Sequence, residues 1–280
     1  LGSRYTVRLH KGASDFLSAT RDWLLQREAE NNVLFSIAQL LTTADHPFRE
    51  PLYLASITER DELVGCAVAA PPDGIELTEL PAGFAAELVG SVAKLRRDLP
   101  WVGGVRRAAL EFAHAWVRAV GGNWQLRHEW MEFRLDEVLA PRPAPGRLRV
   151  AEIADWPELR SWAPGYAADT NSPVDVAGFL ERRLRRRELH VWDHEGPKTF
   201  VTMSGNTPNG VQISSVYTPR KYRGNGYASN AVAAASRGAL QSGASFCVLF
   251  ADPEPAQPAR IYRSLGFRPI RDHLVIVFSR

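Results

Sequence analysis

A strand, a basic turn holding two glycines and an alanine-rich helix follow one another over residues 210–243, and this succession restricts the fold more than any other stretch of the chain. Residues 211–218 are rich in β-branched side chains and read as a strand. Residues 228–243 read as a helix that ends in glycine. Between them lies Pro219-Arg220-Lys221-Tyr222-Arg223-Gly224-Asn225-Gly226-Tyr227. Glycines let a backbone approach an anion closely, and the first N–H groups of a helix have no intrahelical partners and sit where the dipole favours negative charge. Arg220, Lys221 and Arg223 add cationic side chains beside them. The stretch therefore reads as a grip for a pyrophosphate, and a plain structural turn is the competing reading.

Further along, residues 245–250 read as a buried strand, and Tyr262 is followed after three residues by Gly266-Phe267. The spacing Arg-x-x-Gly-x-Ala at Arg223, Gly226 and Ala228, followed by this Tyr-x-x-x-Gly-Phe, resembles the acetyl-coenzyme-A signature and the second motif of the GNAT superfamily of N-acetyltransferases. These specific motifs lie only within residues 211–267. The resemblance implies acetyl-CoA as acetyl donor, no metal, and direct transfer in a ternary complex to a primary amine, a small-molecule acceptor. It implies that Val216, Tyr217 and Thr218 pair by backbone with the pantetheine arm, one N–H polarising the thioester carbonyl. Arg223, Gly224, Asn225, Gly226, Tyr227, Ala228 and Ser229 would hold the pyrophosphate. Tyr262 would be the catalytic acid that protonates the departing sulfur, a role open to a phenol that stays protonated at neutral pH; a core aromatic is its other reading.

The chain departs from the superfamily at two places. Residues 211–215 carry only neutral side chains, so no base stands on this strand, and Asp252, Glu254, Asp169 and His194 are the candidates. Between the strand at 245–250 and Tyr262, where asparagines are expected, stands Asp252-Pro253-Glu254-Pro255-Ala256-Gln257-Pro258-Ala259, with Asp252 where the resembling sequences carry an aspartate. A non-catalytic acyl-CoA-binding or regulatory module is therefore the alternative function, and acyl transfer through Cys247 a third.

The expected fold class is α+β (mixed α/β): tandem GNAT-like folds, each a mostly antiparallel twisted sheet flanked by helices. With 280 residues the chain is long enough for two domains of about 140 residues each. A proline-rich join at 141–146 separates 1–140 from 147–280. In the second half the patterns predict strands near 147–151, 189–192, 199–204, 211–218, 245–250 and 274–278, with helices over 156–168, 174–187, 228–243 and 259–267. The first half repeats this order: strands at 5–9, 52–57, 63–70, 75–80, 101–102 and 124–136, and helices over 14–30, capped by Ser14, then 33–41, 82–97 and 105–120. Its turn Glu79-Leu80-Pro81-Ala82-Gly83-Phe84 has an acid and no base, and Glu79 repels phosphate. The first half is thus expected to be a degenerate copy. Its asparagine pair Asn31-Asn32 is similar to one in two-domain predicted acetyltransferases of this superfamily.

A formal net charge of only +3 gives no case for a polyanionic partner. The run Arg182-Arg183-Leu184-Arg185-Arg186-Arg187 reads first as the solvated end of a helix, with a phosphate contact as the alternative; no nucleic-acid partner is expected. Cys66 and Cys247 sit in apolar strand-like runs and read as buried free thiols. No apolar run reaches membrane-spanning length and residues 1–8 have no signal-peptide core, so no membrane partner and a cytoplasmic location are expected. Homo-oligomerisation is left open.

Overall fold

The structure, a computed structural model, describes residues 4–44, 46–170, 175–204, 207–253 and 257–279. In chain order its elements are β1 (Tyr5–Leu9), α1 (Ala13–Gln26), α2 (Asn32–Leu40), β2 (Tyr53–Glu59), β3 (Glu62–Ala69), β4 (Ile75–Leu77), α3 (Phe84–Leu95), β5 (Trp101–Gly104), α4 (Arg106–Val120) and β6 (Asn123–Leu135). There follow β7 (Arg147–Val150), α5 (Trp156–Thr170), α6 (Val176–Arg185), β8 (Leu189–Asp193), β9 (Pro197–Ser204), β10 (Gly210–Tyr217), α7 (Tyr227–Gln241), β11 (Phe246–Ala251), α8 (Gln257–Ser264) and β12 (Arg268–Ser279). The two halves share one order, β-α-α-β-β-β-α-β-α-β, as the patterning predicts. The predicted helix start at Val174 lies outside the described residues.

Two compact units result: Leu1–Glu132 with Ala251–Pro253 and Ile270–Arg280, and Phe133–Phe250 with Glu254–Pro269. The division differs from a cut at 140/147 in two respects. β6 runs unbroken to Leu135, so the chain changes unit within a strand. The proline-rich join is fastened to unit 2, where the carbonyls of Arg142 and Pro145 accept from Asn230 Nδ2 and Trp192 Nε1, each at 2.9 Å.

In unit 1 the strands lie in the order β1-β2-β3-β4-β5-β12-β6; the pairs from β1 to β4 and β5 with β12 are antiparallel, and β4 runs parallel to β5. Both faces are covered. Tyr53, Ala55 and Ile57 of β2 meet Phe84, Leu88 and Phe112 of α3 and α4, whereas the intervening Leu54 joins Phe16, Leu24 and Phe35 of α1 and α2. This alternation is the period-two geometry of a strand with apolar side chains on both faces. Helix α1 begins one residue before Ser14. Gly12 is its N-cap, without a side-chain bond, and Asp15 accepts from Lys11 N–H at 3.3 Å. Ser14 is therefore not the cap.

The last strand is longer than the predicted 274–278, and residues 270–279 of it complete unit 1 beside β5, with Leu274 opposite Gly104 and Ile276 opposite Val102. It carries charge into the interior. Arg271 Nε donates to the buried Glu132 at 2.7 Å, and His273 Nδ1 lies 3.7 Å from the buried Glu76. The Glu76 carboxylate lies across Gly103, in the space a Cβ would occupy. Gly103 and Gly104, which could be read as a phosphate cradle or a turn, are thus strand residues of β5 whose lack of side chains admits Glu76 and the backbone of Leu77. Gly103→Ala is expected to cost about 1–3 kcal/mol, the penalty for overpacking, and to lower the melting temperature; an unchanged melting temperature would show that Glu76 moves aside freely.

In unit 2 the order is β11-β10-β9-β8-β7. Helices α5 and α6 cover one face through Leu159, Trp162, Leu180 and Leu184 against Leu189, Val191 and Phe200. Helix α7 packs against β9 and β10. Asp175 caps α6 by accepting from Gly178 N–H at 3.0 Å, and Arg182, Arg183 and Arg185 fill its last turn, where the dipole favours cations. Cys66 and Cys247 are free and buried. No helix among the described residues is long and apolar enough to cross a membrane.

Candidate functional site

Strand β10 separates from its parallel neighbour. It pairs with β11 only through Gly210, Val211 and Gln212, opposite Phe246, Cys247 and Val248. On its other edge it stays paired with β9, but the register shifts between Ser214 and Tyr217, and Ser215 takes φ +47°. A bulge of this kind bends a strand and re-aims its groups. From Ile213 onward the pairing with β11 does not continue, so among the described residues this edge has no partner strand and its backbone donors and acceptors face outward to a ligand.

The chain then turns through a short 3₁₀ segment, Arg220–Tyr222, and enters α7. Gly224 and Gly226 have φ of +80° and +78°, values that favour glycine. Gly226 is the N-cap of α7, has no side-chain cap, and accepts the first intrahelical bond from Asn230 N–H at 3.0 Å. The turn is held from within. Asn225 Nδ2 donates to the carbonyls of Tyr222 and Arg223 at 3.1 and 3.2 Å, and Arg223 Nε donates to Thr218 O at 2.9 Å. Thr218 Oγ1 meets Thr199 Oγ1 at 2.6 Å. The start of α7 is fixed by Tyr227, whose ring is buried and whose hydroxyl meets His194 Nδ1 at 2.9 Å. Ala228 and Ser229 are half-buried in the first turn. All the sequence-predicted residues from Thr218 to Ser229 therefore sit in one turn, adjoining Val216 and Tyr217 at the strand end. A helix N-terminus with exposed glycines and basic side chains fits a pyrophosphate.

Some side chains in this set do other work. Tyr217 is buried among Trp162, Tyr166 and Phe200, and a Cβ on Gly165 of α5 would strike its hydroxyl. The Arg223 guanidinium bonds to Asp169 and lies 5.8 Å from the Tyr217 ring centre.

Tyr262 is carried by α8, half-buried between Phe133 and Phe267 at ring-centre distances of 6.5 and 5.9 Å. Its hydroxyl has no hydrogen-bond partner among the described residues. Burial, reinforced by the neighbouring Tyr166, pushes its pKa up to about 12. Tyr166 on α5 hydrogen-bonds to Ser215 at the bulge, and burial raises its pKa as well. Tyr166 therefore brings a second phenol to the bulge of β10, in electrostatic contact with Tyr262, the one the sequence singled out. The rings of Trp162 and Tyr166 on α5 pack with Phe200 and Tyr217, and only the tertiary fold shows the Tyr166 hydroxyl on Ser215.

The base candidates part company. Asp169 is engaged by Arg223 and lies 3.8 Å from Arg220. His194 is bonded to Tyr227. Asp252 is exposed and groups with unit 1, and Glu254 lies outside the described residues. Cys247 faces Ser236 O at 3.8 Å, and burial pushes its thiol up to about 11, which leaves too little thiolate for acyl transfer.

Residues 125–267 match the acetyltransferase (GNAT) family. No match was found among the curated proteins. Among solved structures, a GCN5-related N-acetyltransferase from Sphaerobacter thermophilus shares the fold at 16% identity and a TM-score of 0.62, with 99% of this chain and 96% of that one covered. A Drosophila protein matches at 11% identity and a TM-score of 0.68, with 98% of each chain covered. A tandem GNAT protein from the clavulanic acid biosynthesis pathway matches at 13% identity and a TM-score of 0.55, again over 98% of each chain.

Proposed function

Because the chain belongs to the acetyltransferase (GNAT) family, we propose that it is an acetyl-CoA-dependent N-acetyltransferase acting on a small primary amine, with its cofactor site in unit 2. The observation that carries this reading is the opening of β10 away from β11 at the same end as the glycine turn that begins α7. Acetyl-CoA, when bound, supplies an acetyl group activated as a thioester. The N–H groups of the turn and of the first turn of α7 hold the pyrophosphate, with Gly224 and Gly226 admitting it. Backbone groups of Val216 and Tyr217, free on the β11 side, bind the pantetheine arm and orient the carbonyl. Tyr262 keeps its proton throughout the neutral range and holds it on Oη for the sulfur.

Unit 1 is read as a degenerate GNAT-like copy. Its helix α3 also starts at a left-handed glycine, Gly83, with φ +79°, as α7 does at Gly226. There the Gly83 N–H donates to Glu111 at 3.0 Å, and the N–H that opens α4, on Arg106, donates to Asp272 at 3.4 Å. Internal carboxylates thus occupy donors that an anion would need. Glu79, paired with Arg27 at 3.0 Å, adds negative charge.

Calorimetry with acetyl-CoA and desulfo-CoA, joined to a thiol-release assay over a panel of primary amines, tests the proposal. The expected result is saturable binding, weakened at least tenfold by Arg223→Glu, and turnover with at least one amine. Binding without turnover on any amine would favour a non-catalytic acyl-CoA-binding module, the reading that the lack of a carboxylate on β10 supports. Affinity that Arg223→Glu leaves intact would overturn the phosphate assignment.

A further inference from the structure

Asp169 occupies an electrostatically poor position. It is the penultimate residue of α5, where the helix dipole disfavours a carboxylate, and the last turn of α5 contains no basic residue. The cations that hold it come from the phosphate turn: Arg223 bonds to it and Arg220 lies 3.8 Å away. These arginines are the side-chain cations that the cofactor reading above assigns to the pyrophosphate's surroundings.

We propose that Asp169 is an internal counter-ion that competes with the phosphates of the ligand for Arg223 and Arg220, so that gripping the pyrophosphate and releasing the end of α5 are one coupled event. The inference rests on the acetyl-CoA reading of unit 2. Three features make the exchange workable. The side chains of Arg220 and Arg223 are 85% and 44% exposed, so their pairs with Asp169 are the kind that contribute little to stability and break easily. Arg223 Nε keeps its bond to Thr218 O, so the guanidinium can swing its other nitrogens without losing its anchor. The carboxylate itself repels an approaching phosphate, so losing Asp169 from the pair and losing its charge act in the same direction. Asp169 is therefore a positioning residue. It also connects the cofactor turn to α5, whose Tyr166 reaches the bulge of β10.

The test is titration calorimetry of desulfo-CoA into wild type, Asp169→Asn, Asp169→Glu, Arg223→Gln and the Asp169→Asn/Arg223→Gln pair, at low and moderate salt. Asp169→Asn is expected to tighten binding three- to tenfold, more at low salt, and Asp169→Glu to return it to the wild-type level. In the Arg223→Gln background the gain from Asp169→Asn is expected to shrink, which a merely structural effect on α5 would not produce. Wild-type binding that Asp169→Asn leaves unchanged or weakens overturns the competition while the cofactor site stands. Absence of binding in every protein, wild type included, overturns the cofactor reading and the competition with it.

Discussion

Tyr262→Phe is expected to lower kcat by about 100-fold, the lower end of what a positioned acid contributes, while acetyl-CoA affinity and thermal stability stay close to wild type. The contrast follows from what the substitution removes. The phenyl ring keeps its contacts with Phe133 and Phe267, and no hydrogen bond to a described residue is broken when the hydroxyl leaves, so no buried partner is orphaned. Only the proton on Oη is lost. Burial holds that proton to about pH 12, so Tyr262 imposes no alkaline limb on the rate profile anywhere in the neutral range. Steady-state kinetics on an amine found in the panel, with calorimetry alongside, decides the matter. A Phe variant with full kcat would make Tyr262 a core aromatic and shift attention to Tyr166, the phenol at the bulge.

How far the sequence revealed this site depended on whether its parts were local. The turn from Thr218 to Ser229 was legible because its chemistry is written in consecutive residues: two glycines able to take positive φ, three cations and a helix that begins immediately after. The element order of both halves was legible for the same reason, since period-two and period-3.6 patterns are local properties. What stayed hidden is long-range. Asp169 is separated from Arg223 by 54 residues, and nothing near it signals a partner except its unfavourable place at a helix end. Tyr166 packs its ring against Phe200 and Tyr217, and its hydroxyl bond to Ser215, far along the chain, is likewise a long-range contact. The neighbours of β12 were not legible because a strand pattern gives length and faces but not partners. The charges on β12 were the available clue. Arg271 and His273 beside the apolar run Leu274–Phe278 require buried partners, and Glu76 and Glu132 of unit 1 are such partners.

Those buried charges give the protein a pH dependence of stability. Glu76 is pushed up to about 8 and Glu132 to about 7 by burial, against the counteracting field of Arg271, and burial pulls His273 down to about 3. The carboxyls hold protons in the folded state that the unfolded chain has released above about 4.5, so each stabilises fully below that value, and the contribution is lost as pH rises through 7 and 8. His273 acts oppositely. It is neutral when folded, whereas the unfolded chain binds a proton below about 6.5, so its contribution is lost as pH falls toward 3. Above pH 6.5 only the carboxyl slopes remain, each about 1.4 kcal/mol per pH unit. Between pH 6.5 and 8 they remove about 2–3 kcal/mol on this order-of-magnitude slope, and the transition of unit 1 is expected to move to lower temperature. Glu76→Gln, which keeps the shape but cannot ionise, is expected to flatten most of that decline. Calorimetric melting of both proteins at pH 6.5, 7.5 and 8.5 measures it. A wild-type transition that does not move with pH would mean that Arg271 satisfies both carboxylates as anions. β12 would then be held by fixed ion pairs and not by protonated acids.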